Sequence, residues 1–401
     1  MTLETHSAGV LTKADVGRFE RDGFFIIDEP CSPDLFDAVI ADCDPMYRDA
    51  WDPGPEANRD GVFYGQHGGW RDAGYHWHRI RNAWKVSDNV RAIALSPRVL
   101  AITEQLFGRP VKPFQTLNFP VGTEQVAHAD SFPFQSDPPG YMCGVWVALE
   151  DMDMDNGPLV YYPGSHKMPM PSWKEIEKMT GYVLEPDSYE NERAYHKARH
   201  HQYADYCTQM IEDHDLQPEY GTIARGQALL WAPNLMHGGS PQRDRSRTRH
   251  SQVTHYFFGG CRVYTPMHVE GEHIFWDYPE WIRDPVPVYG PDLLTETVRE
   301  HTPAGSSILA VTPDGEPLLE LEDRNVQAFP DYEAGAPGQA LTDTDWLNQL
   351  RDARARGAEY VVFPKPNLWQ LEWRLPSLQD ELEFRGEGLL RDGCVAAIYR
   401  L

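Results

Sequence analysis

Apolar residues in this chain gather in short runs punctuated by turn-forming residues. Tyr141-Met-Cys-Gly-Val-Trp-Val-Ala-Leu149 is apolar and rich in β-formers, with Pro138-Pro139-Gly140 before it and the acidic Asp151-Met-Asp-Met-Asp155 after it. A bounded run of that length predicts a buried strand. Asn156-Gly157-Pro158 then leads into Leu159-Val-Tyr-Tyr162, closed by Pro163-Gly164-Ser165-His166, so the two runs read together as a hairpin of a β-barrel or double-sheet jelly roll. Gln227-Ala-Leu-Leu-Trp-Ala232 is another short strand, and His237-Gly-Gly239 follows just past its end. Arg249-His-Ser-Gln-Val-Thr-His-Tyr-Phe-Phe258 alternates before turning fully apolar, which puts Arg249 and Ser251 on one strand face.

Two insertions interrupt this β pattern. Residues 45–90 form a long irregular segment rich in aromatics, and residues 167–218 contain a predicted helix over Arg193–Ile211; loops of this size are often lids. In the first, His76 and His78 either pack beside Trp77 or face a substrate if the segment is extended. In the second, His200 and His201 are adjacent and cannot face one ligand from a helix, so a solvated face is expected. Beyond Tyr289-Gly-Pro291 the character changes. Strands at 306–312, 360–364 and 394–401 and a helix at 344–357 indicate a small α/β domain with no phosphate-binding glycine loop. The expected organisation is therefore a catalytic domain over 1–290, with lids at 45–90 and 167–218, and an accessory docking or dimerisation domain over 291–401.

Composition narrows the class. The 401 residues are 41% hydrophobic and 24% charged, enough for a buried core. A net charge of −25 and a pI near 5.0 disfavour nucleic acid and anionic membrane surfaces as partners. The six cysteines show no Cys-x-x-Cys spacing, the first ten residues lack an apolar stretch, and no run reaches membrane-spanning length. A cytoplasmic enzyme acting on a small molecule is the expectation.

The candidate chemistry starts at His128-Ala-Asp130. An imidazole and a carboxylate at i, i+2 on a strand project to one face, and a second histidine, His237, completes a set of two histidines and one carboxylate. Such a facial triad leaves the opposite coordination positions open, as non-heme Fe(II) oxygenases require. His268-Val-Glu270 has the same spacing but lies among Pro266, Gly271 and Pro279 without a downstream Arg-x-Ser, so it reads as loop. The Arg249 guanidinium and Ser251 hydroxyl suit a carboxylate such as the distal one of 2-oxoglutarate. Arg243, Arg245 and Arg247 compete with it but stand between turn residues, where a solvated loop is expected.

Taken together, His128-x-Asp130, Trp146-Val-Ala-Leu-Glu-Asp151, Asn156-Gly-Pro-Leu159, Pro163-Gly-Ser-His166, His237-Gly-Gly239 and Thr248-Arg-x-Ser251 resemble the phytanoyl-CoA dioxygenase family of Fe(II)/2-oxoglutarate oxygenases. Leu11 to Ile27 is similar to the family's opening helix and strand, and the likeness covers roughly residues 10–285. The resemblance implies a double-stranded β-helix with jelly-roll core, His128, Asp130 and His237 as iron ligands, Arg249 as 2-oxoglutarate anchor, and Trp146 near the cosubstrate. The family usually has His-Gly-Ser where this chain has His237-Gly-Gly239-Ser240, which leaves Ser251 the better hydroxyl. It further implies consumption of O2 and 2-oxoglutarate, release of succinate and CO2, and hydroxylation of a C–H bond. Related halogenases lack the carboxylate ligand, so Asp130 argues against halogenation. A bacterial secondary metabolite or saccharide-containing intermediate is the expected substrate, acyl-CoA being disfavoured by the acidic surface. Oxidative cyclisation or desaturation stays open on the same scaffold. From other classes, a zinc-dependent hydrolase or lyase could use the same three ligands, and a non-catalytic binding protein could keep the barrel.

Overall fold

The computed structural model describes residues 11–49, 57–59, 62–64, 79–190, 192–266, 274–312, 319, 321–332 and 340–401. The chain divides into two compact units, Met1–Cys261 and Arg262–Leu401. Residues 262–290, assigned from the sequence to the catalytic domain, thus belong with the second unit, where Tyr278 joins the core.

The first unit opens with α1 (Lys13–Asp22), β1 (Phe24–Asp28) and α2 (Asp34–Asp49), followed by β2 (Ala57–Arg59), β3 (Val62–Tyr64) and β4 (Ile80–Arg81). Next come α3 (Asp88–Ala94), α4 (Pro97–Phe107), β5 (Val111–Phe119), β6 (Gln135–Asp137), β7 (Met142–Ala148) and β8 (Leu159–Tyr161). The second insertion supplies α5 (Trp173–Thr180) and α6 (Glu192–Asp213), and β9 (Glu219–Tyr220), β10 (Gln227–Trp231), β11 (His237–Gly239) and β12 (Ser251–Phe258) complete the unit. Helix starts follow local chemistry. Thr12 with Asp15 and Ser172 with Glu175 form capping boxes that satisfy the first free N–H groups of α1 and α5.

Eight strands form one sheet in the order β1-β10-β7-β12-β5-β4-β3-β2, and three form a second, β11-β8-β9. Their pairings are antiparallel, and neither sheet closes into a barrel among the described residues. The expected hairpin between 141–149 and 159–162 is not formed. β7 pairs with β10 and β12, whereas β8 pairs with β11 and β9, so Asn156-Gly-Pro158 carries the chain from one sheet to the other. One face of the larger sheet holds Leu117, Phe119, Trp146, Ala148, Leu229, Trp231 and Val253 in a single core cluster. Register explains the cluster. Val253 lies opposite Trp146 and Leu117, and Trp146 opposite Leu229, so period-2 alternation stacks them across four strands.

The second unit contains β13 (Arg262–Tyr264), β14 (Trp276–Asp277), α7 (Pro291–His301), β15 (Ser307–Val311), β16 (Asn325–Phe329) and α8 (Asp343–Ala355). It ends with β17 (Tyr360–Pro364), α9 (Leu368–Trp373), α10 (Pro376–Arg385), β18 (Glu387–Asp392) and β19 (Ala396–Arg400). Its main sheet runs β16-β15-β17-β19-β18, parallel across the first three strands and antiparallel across the last three. Leu309, Phe363 and Tyr399 from the sheet pack with Trp346, Leu371, Leu378 and Tyr278.

Candidate metal centre

His128 and His237 meet as an isolated β-bridge rather than on a regular strand, each donating its backbone N–H to the other's carbonyl at 2.9 and 2.8 Å. The close approach depends on Gly238: a Cβ there would lie 2.6 Å from the carbonyl oxygen of Gln125. The bridge sets the imidazoles side by side, centroids 4.6 Å apart. Both rings are oriented by their own backbone. Nδ1 of His128 sits 3.0 Å from the Val126 carbonyl and Nδ1 of His237 2.9 Å from that of Leu235, so each Nδ1–H donates and each Nε2 keeps a lone pair for a ligand.

Asp130 stands at the start of the turn after the bridge, its carbonyl accepting from Phe134 N. Its Oδ1 is 3.9 Å from His128 Nε2 and its Oδ2 3.8 Å from His237 Nε2, and one donor atom from each of the three residues falls within 4.8 Å of the others. All three side chains are buried. Burial, reinforced by the neighbouring His237 ring, pushes the His128 pKa down to about 3 against the attraction of Asp130, so this imidazole is neutral at physiological pH. Burial opposes ionisation of Asp130 but is outweighed by His237 and His255, and its pKa falls below the usual carboxylate range. Two imidazoles and a carboxylate, aimed at one point, fit a divalent metal ion.

Arg249 precedes β12, its backbone N–H donating to the Pro120 carbonyl at 2.8 Å. Its side chain is 3% exposed, yet Nε and Nη1 have no hydrogen-bond partner, and neither has the buried hydroxyl of Ser251 two residues on. Burial lowers the guanidinium pKa to about 10, partly countered by Glu150, which leaves it charged at neutral pH. A buried cation with idle N–H donors is costly unless an anion joins it, and the donor set fits a carboxylate. The Trp146 ring lies beneath the guanidinium at 5.3 Å. Ser240 is turned away, its hydroxyl donating to the Pro158 carbonyl at 2.5 Å. The competing arginines face elsewhere: Arg247 grips Asp153 at 2.8 Å, Arg245 pairs with Glu124 at 2.8 Å, and Arg243 is exposed.

Several residues at the centre escape a reading of local pattern. Trp231 donates its indole N–H to Asp130 Oδ2 at 2.8 Å, His255 Nε2 is 3.5 Å from the same oxygen, and Gln125 Nε2 is 3.3 Å from His128 Nε2. The expected solvated face of α6 is corrected at His200. Tyr203 stacks on Phe132 at 3.8 Å and Arg199 on Trp173 at 3.6 Å, and this packing turns the His200 ring to within 6.3 Å of His128. Burial and Arg79 lower its pKa to about 4, while His201 is exposed. The period of α6 placed both histidines on the helix but could not say which side docks. His76, His78, His268 and Glu270 lie outside the described residues.

Residues 19–251 match the family model described as phytanoyl-CoA dioxygenase. A phytanoyl-CoA dioxygenase domain-containing protein 1 from Danio rerio is 32% identical over 88 residues, and its Mus musculus counterpart 34% identical over 87. Each alignment covers 22% of this chain and spans 27% of the relative's length. Among solved structures, EctD from S. alaskensis with bound Fe shares 18% identity at a TM-score of 0.47, over 67% of this chain and 84% of that one. The alpha ketoglutarate dependent carbocyclase SnoK from nogalamycin biosynthesis shares 15% at a TM-score of 0.44, over 64% and 88% respectively.

Proposed function

Because this chain belongs to the phytanoyl-CoA dioxygenase family, we propose that it is an Fe(II)/2-oxoglutarate-dependent dioxygenase that hydroxylates a C–H bond of a small molecule. The observation that carries this reading is the pairing of two features: a buried triad whose donor atoms lie within 4.8 Å of one another, and a buried arginine whose Nε and Nη1 have no hydrogen-bond partner. Iron(II), with 2-oxoglutarate and O2, supplies the oxidant for a C–H bond and leaves succinate and CO2 as coproducts.

The protein's own contribution is binding and orientation. His128, Asp130 and His237 would hold the ion, and the carbonyls of Val126 and Leu235 keep both imidazoles in the ligating tautomer. Arg249 and Ser251 would take the distal carboxylate of the cosubstrate, with Trp146 as the wall beneath it. The burial of these groups excludes water from the charge pair they would form. A zinc hydrolase using the same three ligands has no use for the idle guanidinium, which is why the keto-acid reading is preferred. Oxidative ring closure or desaturation differs from hydroxylation only in how the substrate is placed, and is the second reading.

On the same basis we read the two antiparallel sheets as the halves of a double-stranded β-helix. The substrate is proposed to be a bacterial secondary metabolite or saccharide-containing intermediate. None of the described helices is long and apolar enough to cross a membrane, all six cysteines are free, and a cytoplasmic location is proposed. The second unit carries none of the site residues and is assigned a docking or self-association role, which sedimentation analysis would test.

The reading predicts that anaerobic addition of Fe(II) and then 2-oxoglutarate produces the weak visible charge-transfer band of a chelated keto acid. His128→Ala or His237→Ala should abolish it. Wild-type protein that binds iron yet gives neither band nor succinate would sink the cosubstrate assignment.

A further inference from the structure

Asp130 Oδ2 is approached by two ring nitrogens from different strands, the indole N–H of Trp231 and His255 Nε2, and cross-strand register explains how they converge. Gly144 of β7 lies directly opposite Trp231 of β10 on one side and His255 of β12 on the other. Side chains at these three positions share one face of the sheet. The middle position is empty because it is glycine: a Cβ on Gly144 would lie 2.3 Å from the Trp231 ring atoms Cε2 and Cζ2 and 2.8 Å from Nε1. The indole therefore occupies the space above Gly144, where its N–H reaches Asp130 Oδ2 at 2.8 Å while its ring packs against His237 with centroids 4.8 Å apart. From the opposite strand His255 brings Nε2 to 3.5 Å from the same oxygen, its other ring nitrogen lying 3.1 Å from Gln115 Oε1. Among the described residues no hydrogen bond reaches Oδ1, which lies 3.9 Å from His128 Nε2, whereas the hydrogen-bonded Oδ2 lies 3.8 Å from His237 Nε2.

We propose that Trp231 and His255 are positioning residues that engage Oδ2 of Asp130 and so present Oδ1 alone to the metal, with Gly144 as the gap that admits the indole. The proposal rests on the iron-centre reading above. Its chemical consequence is an open site. A carboxylate bound through both oxygens occupies one more coordination position, and a keto acid that chelates and a dioxygen that follows need the positions left vacant. Hydrogen bonds to a ligand also fix its orientation before the ion arrives, and outer partners of this kind typically account for roughly ten- to a hundredfold in metal affinity.

Co(II) is a suitable probe, since its binding and its visible absorption are read without turnover. Full-length protein is titrated with Co(II) against a competing chelator, with His128→Ala as the control for the site. Trp231→Phe removes the N–H and keeps an aromatic ring; it should weaken Co(II) binding by about tenfold or more and alter the visible spectrum, because the released Oδ2 can then also reach the ion. Gly144→Ala keeps the indole but displaces it, and should reproduce the spectral change, so the expectation can still be read if Trp231→Phe does not fold. A folded Trp231→Phe variant with wild-type affinity and spectrum would overturn the positioning role alone. Failure of the wild-type protein to bind Co(II) at all would overturn the iron-centre reading and this one with it.

Discussion

Arg249 shows how a single side chain can report a ligand. Its neighbours in sequence, Arg245 and Arg247, settle on Glu124 and Asp153 at the surface, where ion pairs contribute little. Arg249 is buried beside Trp146 with Nε and Nη1 idle. Replacing it with lysine keeps the charge and loses the planar fork. Arg249→Lys should therefore weaken 2-oxoglutarate binding by about 1.5 to 3 kcal/mol, roughly ten- to a hundredfold, while iron binding measured separately stays near wild type. Arg247→Lys serves as the comparison, with an expected effect well under that. A reversal of the two results would move the anchor two residues along the strand and remove Ser251 from its role.

The element that organises the metal centre is the smallest one, a two-residue bridge. Its paired backbone hydrogen bonds bring His128 and His237 from segments more than a hundred positions apart and fix both rings relative to Asp130. Gly238 makes the bridge possible by letting the backbone pass the Gln125 carbonyl. Gly238→Ala should cost about 1 to 3 kcal/mol through forced separation of the two backbones. Because that separation acts on the bridge, the variant should also lose metal affinity, measured by Co(II) titration of the folded fraction. Full affinity in a destabilised Gly238→Ala protein would mean that the histidines are held by something other than the bridge. α6 acts at the same level: Tyr203 on Phe132 and Arg199 on Trp173 dock it, and docking decides that His200 faces the centre while His201 faces solvent.

Across the whole molecule the two compact units carry their buried charges differently. In the first, Asp130 accepts the Trp231 indole N–H, which suits its ionised form. In the second, Asp277 is buried beside Glu372 with the Thr265 hydroxyl at 3.0 Å, and burial raises its pKa from 3.8 to about 7. A carboxyl whose folded pKa is raised holds its proton longer in the native state than in the unfolded one. The stability it contributes is complete below pH 3.8 and is lost as pH climbs towards about 7. Asp277→Asn should accordingly unfold at a higher temperature than wild type at pH 8, with the difference shrinking towards pH 5. Parallel melting curves against pH for the two proteins would show that Asp277 is not the group responsible.

The local patterns were sufficient for much of this. Apolar runs between turn residues marked β7 and β10, an alternating run marked β12, residues 193–211 read as a helix, and His128-x-Asp130, His237 and Arg249 stood out because their spacing has a chemical meaning. β5 was less legible, since Pro113 interrupts a run that reads otherwise as a strand; the pairing shift between His255 and Tyr256, opposite Gln115 and Pro113, shows how the sheet accommodates it. The hairpin expected of 141–149 and 159–162 failed because adjacency in sequence does not specify which sheet a strand joins. The same limit hid Trp231, Gly144 and His255, which have no common motif and meet only through register across three strands. Sequence by itself determined which residues could ligate and which segments could be strands, because those depend on side-chain type and short-range period. Tertiary structure alone decided that Asp130 Oδ2 meets Trp231 and His255, that the His200 ring comes near His128 and that Arg249 Nε and Nη1 are left without a hydrogen-bond partner, because burial and hydrogen-bond satisfaction are properties of what surrounds a residue in space.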